Sequence, residues 1–234
     1  MQREILVKSL LNGLYLSVMI VIILNIINTY NFEKHKIYGM KKIIITLIAA
    51  LTTIISFAQT QSSDHLIFKG VPIDGTLNEY VAKMKQNGFS LIDTKDGVAM
   101  LTGDFAAYKN CIVGVATLKQ KDLVSKITVI FPECDTWSLL SGNYFNLKEM
   151  LTQKYNAPSN CVEKFDSYSE PDDDSGRMHA VKFDNCKYYT TYETDKGSIQ
   201  LSIEHDGVLK CFVMLSYYDK INSEIIKTKA IDDL

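Results

Sequence analysis

Proline is scarce in this chain, four in 234 residues, and glycine contributes only 12. Those proportions exclude collagen-like and broadly disordered architectures. Familiar catalytic signatures are missing too. The chain has no Gly-x-Ser-x-Gly elbow, no P-loop and no Gly-x-Gly-x-x-Gly fingerprint, so nothing points to a hydrolase elbow or to nucleotide chemistry. It has no His-Glu-x-x-His and no paired Cys-x-x-Cys, which removes the common zinc signatures. No cysteine precedes Cys111. His65, His179 and His205 have no recognisable spacing to a cysteine, and a cysteine nucleophile needs a nearby base.

Charge is unevenly spread. Six of the 25 Lys/Arg and two of the 27 Asp/Glu fall in residues 1–58, so the remainder carries a net charge of −6. An acidic body repels phosphate backbones, which argues against nucleic acid as a partner.

What is present begins with a leader. Met40-Lys41-Lys42 precedes the apolar run Ile43–Ile55, then Ser56-Phe57-Ala58 and Gln59. Residues 40–58 read as a signal peptide, with small residues at −3 and −1 of a cut after Ala58. Thirteen residues rise roughly 20 Å as a helix, too short for a hydrocarbon core of about 30 Å. No cysteine follows the run, so no lipid anchor is expected. Residues 1–39 lack Ala, Asp, Pro, Cys and Trp and are rich in residues with AT-rich codons. They read as translated upstream DNA, with Met40 as the functional start. The rival reading is a membrane helix over residues 10–27, which would leave the protein anchored in the inner membrane. Lys34, Lys36, Lys41 and Lys42 between the two apolar stretches suit a cytoplasmic position. Export to the periplasm or cell exterior is expected, without stable membrane insertion once the leader is removed.

Residues 59–234 are expected to form one α+β domain. Thr76-x-x-Glu79 matches a capping box, and Leu77, Tyr80, Val81 and Met84 follow at helical spacing until Gly88. Residues 89–93, 98–108, 111–119 and 123–131 alternate like strands of a meander. A second helix is expected over 136–155, with Gly142-Asn143 weak enough to split it. Strands are then expected at 161–168, 179–184, 187–194, 198–205 and 208–218, and a short helix at 223–230. Two echoes suggest duplication. Leu77-Asn78-Glu79 is similar to Leu147-Lys148-Glu149, and Tyr108-Lys109-Asn110-Cys111 to Phe183-Asp184-Asn185-Cys186. The expected fold is an antiparallel sheet of two helix-plus-four-strand pseudo-repeats, about 65–135 and 136–234, with helices on one face.

That layout resembles the repeats of beta-lactamase-inhibitor-like and TBP-like folds, a likeness of fold that carries no activity. The chain from Met40 also resembles small exported proteins of Bacteroidetes-type bacteria. The resemblance rests on the leader ending Phe57-Ala58-Gln59, on Phe68-Lys69-Gly70-Val71-Pro72-Ile73-Asp74-Gly75-Thr76, and on Leu215-Ser216-Tyr217-Tyr218-Asp219-Lys220-Ile221. It implies no known activity.

Candidate site residues are few. Export permits disulfides, and Cys161 with Cys186 is the favoured pair, expected on neighbouring strands around the 169–178 loop. In the loop-entropy model such a bridge is worth about 3 kcal/mol. Cys111 and Cys211 read as buried thiols in apolar strands. The acidic run from Glu170 to Gly176 lacks the spacing of an EF-hand and reads as solvated. Asp104, Glu163 and Glu204 are carboxylates that spacing alone cannot pair. Tyr188, Tyr189 and Tyr192, with Tyr217 and Tyr218, form a candidate recognition surface for a protein or glycan. Alternation puts Tyr188 and Tyr192 opposite Tyr189, so at least one face belongs to the core. No cofactor or metal is expected. The expected role is an exported, non-catalytic binding module of the bacterial envelope. The alternatives are an envelope hydrolase whose site assembles only in three dimensions, and an inhibitor of an extracellular enzyme.

Overall fold

The structure, a computed structural model, describes residues 63–118, 121–166 and 170–232. The leader at 40–58, the upstream stretch 1–39 and the candidate span 10–27 lie outside these residues. Among the described residues no helix is long and apolar enough to cross a membrane.

The chain enters through a two-residue hairpin, β1 (Ile67–Phe68) and β2 (Val71–Pro72). Helix α1 (Leu77–Gln86) follows. Thr76 Oγ1 accepts from Glu79 N at 3.3 Å while Thr76 N donates to the Glu79 carboxylate at 3.1 Å, so both ends of the capping box are closed. Gly88, at φ +88°, takes the left-handed position that stops the helix. A four-strand meander comes next: β3 (Ser90–Lys95), β4 (Val98–Phe105), β5 (Tyr108–Leu118) and β6 (Lys121–Ile130). Helix α2 (Trp137–Tyr155) opens the second half, followed by β7 (Asn160–Phe165), α3 (Asp174–Lys182), β8 (Cys186–Thr194), β9 (Gly197–Asp206), β10 (Lys210–Asp219) and α4 (Lys220–Asp232).

The eight long strands form one antiparallel sheet in the order β3-β4-β5-β6-β10-β9-β8-β7. The last strand of each meander pairs with the other at the centre, Leu215 opposite Val129 and Tyr217 opposite Ile127. Gly197 pins the edge of the β9–β10 ladder: a Cβ there would stand 2.1 Å from the Tyr218 carbonyl oxygen. The class is therefore α+β with a large antiparallel sheet. One face carries the buried core, including Val113, Val129, Leu215, Leu201 and Tyr192, all at most 1% exposed. The buried stripe of α1 (Leu77, Tyr80, Val81, Met84) and that of α2 (Trp137, Leu140, Tyr144, Leu147, Leu151) complete that core.

Several expectations need correction. Of residues 179–184, expected as a strand, 179–182 form the last turn of α3 and 183–184 the turn that follows it. Asp173 caps the helix by accepting from Gly176 N, and Met178, Ala180 and Val181 are buried. Helix α2 runs unbroken through Gly142-Asn143. The β1–β2 hairpin is a sheet of its own, separate from the eight-stranded one. Each half holds a leading helix and four strands of the sheet, but the second inserts α3 between β7 and β8, and the two sequence echoes do not fall on equivalent elements. Leu77 opens α1 whereas Leu147 lies mid-way along α2; Cys111 lies in β5 whereas Cys186 opens β8, a counterpart of β4 by order.

Candidate functional site

The face of the sheet away from the α1 and α2 stripes is a candidate recognition surface. Its side chains stand in transverse rows set by the register. One row runs Tyr189, Ser202, Met214, Ile130, Ile112 and Thr102 from β8 to β4. The next runs Thr191, Gln200, Ser216, Thr128, Gly114 and Met100. Between β8 and β4 neither row carries a charge; Asp93 on β3 stands opposite Met100 at the end of the second. Thr128 and Ser216 hydroxyls share a hydrogen bond of 3.3 Å at the centre. Charge returns only beyond them, at Lys126, Glu193 and Glu204 among others; the Lys126 ammonium sits 4.9 Å from the Tyr218 ring centre. Most of these residues are half-buried by their neighbours, unlike their fully buried counterparts on the other face. Small and β-branched residues alternate here with the larger Tyr189, Met214, Gln200 and Met100.

The five tyrosines divide between the two faces. Tyr192 and Tyr217 are 0% and 4% exposed and belong to the core. Tyr188 lies on the same side, edge-on to Trp137 at 5.1 Å and to Tyr144 at 5.7 Å. Only Tyr189 and Tyr218 reach the open face. They stand on rows four residues apart along the strands, roughly 13 Å. A continuous five-tyrosine surface therefore does not form, because strand alternation hides three of its members.

The cysteine pair is also corrected. All five cysteines are free. Cys161 stands opposite Thr190, and Cys186 opposite Phe165. Four positions along one ladder is roughly 13 Å, beyond the Cα separation of about 7 Å that a disulfide tolerates. Burial pushes the Cys186 thiol up to about 12 and also raises Cys111, Cys134 and Cys211.

Cys161 instead belongs to a polar cluster that sequence spacing did not reveal. Lys148 on α2 donates to the Glu163 carboxylate at 2.5 Å and to Cys161 Sγ at 3.2 Å. Cys161 Sγ lies 3.5 Å from Thr190 Oγ1, which meets the Tyr144 hydroxyl at 2.5 Å. Burial alone would raise Glu163, but hydrogen bonds from Lys148 and Cys161 outweigh it and hold the carboxyl below its usual value. Cys161 is exposed. The i to i+2 spacing of Cys161 and Glu163 on a strand was the available signal; Lys148 is supplied by another element and had none.

Other carboxylates are dispersed. Glu163 lies on the covered face and Glu204, opposite Phe212, on the open one. Asp104 accepts from Asn110 N at the β4–β5 turn. In the acidic run, Asp173 caps α3, and Asp174 accepts from the first amides of α2, Trp137 N and Ser138 N, at 2.9 Å each. Those amides hold the Asp174 carboxyl below its usual value. Asp219 is fully buried and accepts from Leu66 N, Asn222 N and His65 Nδ1 at 2.8–3.1 Å. Among the described residues no group of three or more His, Cys, Asp or Glu converges as metal ligands would. No protein-family model, no curated protein and no solved structure matches this chain.

Proposed function

We propose that this protein is an exported, non-catalytic binding module of the bacterial envelope, released by cleavage after Ala58, and that its open sheet face docks a folded protein. The carrying observation is two adjacent uncharged rows across the centre of that face, in a body with excess acid. Strands about 4.8 Å apart and rows about 7 Å apart make the two rows across six strands a patch of roughly 400 Å². A standard protein interface takes about 800 Å² from each partner, so the partner would also cover the flanking rows. An uncharged strip at the centre with charge around it suits a protein interface, whose core is depleted of charge and whose rim is polar. The dispersed carboxylates favour this reading over an envelope hydrolase.

The test places a photo-crosslinking residue at Gln200 on the open face or at Lys83 on exposed α1, in cells that export the protein. The expected result is one adduct of defined mass from position 200, none from 83, and its loss in Thr128→Lys. A mature N-terminus at Gln59 is expected from the same preparation. No adduct from 200, or equal adducts from both positions, would overturn the docking face. An adduct with a second copy would replace the foreign partner with self-association.

A further inference from the structure

A second recess lies on the opposite, helix-bearing side of the sheet and owes nothing to the docking face. It is a cleft of about 580 Å³ between the β1–β2 hairpin, the C-terminal end of α2 and the β8–β9 turn. Its floor is apolar, made by Leu66, Phe105 and Tyr217. Phe68 supports that floor from behind, stacked on Phe105 at 5.1 Å and edge-on to Tyr217 at 5.3 Å. The volume falls in the range of small-molecule sites, roughly 300–1,000 Å³.

The mouth is basic. Lys69, Lys154 and Lys196 surround it, against the single carboxylate of Asp195. Among the described residues none of the three lysines has a carboxylate partner within 4 Å; the paired lysines are Lys148, Lys164, Lys187 and Lys210. Lys69 and Lys154 lie instead near aromatic rings, at 5.9 Å from Phe89 and 4.9 Å from Tyr155. Lys196 donates to the Ser63 carbonyl. Three lysines against one carboxylate around a single apolar recess make a locally basic mouth in a body with net negative charge. Their mutual repulsion is relieved by an anion placed between them. Tyr155 and Tyr217 add hydroxyls at the same place.

We propose that this cleft binds a small amphiphilic monoanion, a fatty carboxylate, with its chain on the Leu66–Phe105–Tyr217 floor and its head among Lys69, Lys154 and Lys196. No covalent step is involved. A ligand of this size in an open cleft is expected to bind with Kd on the order of 10–100 μM.

The test is calorimetric titration of the mature protein with monomeric dodecanoate, beside dodecyltrimethylammonium and dodecyl maltoside. One site is expected for dodecanoate and none for the cationic or neutral amphiphile. Lys154→Glu, at an exposed position, with Lys196→Glu, at a half-buried one, should weaken binding about tenfold or more. Thr194→Trp, which narrows the cleft, should weaken longer chains more than shorter ones. Lys83→Ala on exposed α1 should leave dodecanoate binding unchanged. Equal binding of all three amphiphiles, indifference to the charge reversals, or loss of binding in Lys83→Ala would each overturn the assignment. Association with anionic phospholipid vesicles in the absence of dodecanoate binding would do so as well, by moving the anion to a membrane surface. Failure here leaves the crosslinking result at Gln200 untouched, so the two proposals fall separately.

Discussion

The two faces of the eight-stranded sheet are built from the same strands and share every hydrogen bond of the ladders, yet they differ in kind. On β10, Cys211, Val213, Leu215 and Tyr217 point to one side and are at most 4% exposed, while Phe212, Met214 and Tyr218 point to the other and are partly exposed, with the small Ser216 between them 1% exposed. Helices cover the first side, and its side chains are large and apolar. The second carries Ser, Thr, Gln and Gly in its central row and no charge across two rows. Stability therefore resides on one face, leaving the composition of the other free to serve recognition. A purely solvated face would be expected to carry more charge at its centre.

The sharpest way to break this comparison is to shorten adjacent residues of β10. Leu215→Ala should cost about 2–5 kcal/mol in chemical denaturation, and Met214→Ala about 1 kcal/mol or less. Equal losses would mean that the open face is packed after all. Next comes the buried end of the covered face. Asp219→Ala strands the Leu66 and Asn222 amides and should cost about 2–4 kcal/mol, with Asp219→Asn losing less because an acceptor oxygen remains. Equal stability of wild type and Asp219→Ala would remove its role as the latch of the entering chain.

Thiol labelling sharpens where the covering stops. Cys161 should react with iodoacetamide in the native state, whereas Cys111, Cys134 and Cys211, at most 3% exposed, should react only after unfolding. Native labelling of Cys211 ahead of Cys161 would contradict the packing. The smallest effect concerns His205. Its ring sits between the Asp184 carboxylate at 3.0 Å and the Gly207 carbonyl at 2.8 Å, and those two partners raise its pKa above the usual value. The folded state therefore holds the proton more tightly than the unfolded one. Its contribution to stability is complete below the unfolded value near 6.5 and is lost as pH rises through the folded value. An NMR titration should show the raised value in wild type and its return toward normal in Asp184→Asn; an unchanged titration would dismiss the pair.

Local signals in the sequence were sound where the physics is local. The Thr76–Glu79 capping box, the α1 stripe and the alternation of Ile199, Leu201 and Ile203 can all be read from neighbours within four residues. The helix over 174–182 was misread because His179-Ala-Val looks apolar enough for a strand, and its decisive cap, Asp173, sat in a run that also reads as a solvated loop. The tyrosine surface was only half legible. Alternation correctly separated Tyr189 from Tyr188 and Tyr192 but did not say which side the helices would cover. Lys148, Glu163 and Cys161 meet across α2 and β7, and the cleft joins residues from position 66 to position 217. No periodicity encodes such distances.

By itself, the sequence determined the α+β class, the meanders and the apolar stripes of the helices, because capping, turn chemistry and side-chain period act over a few residues. Tertiary structure alone decided the pairing of β6 with β10, the uncharged rows of the open face, the separation of Cys161 from Cys186 and the gathering of three lysines around one recess. Those features depend on which strands become neighbours, and that choice is made by burial across the whole chain.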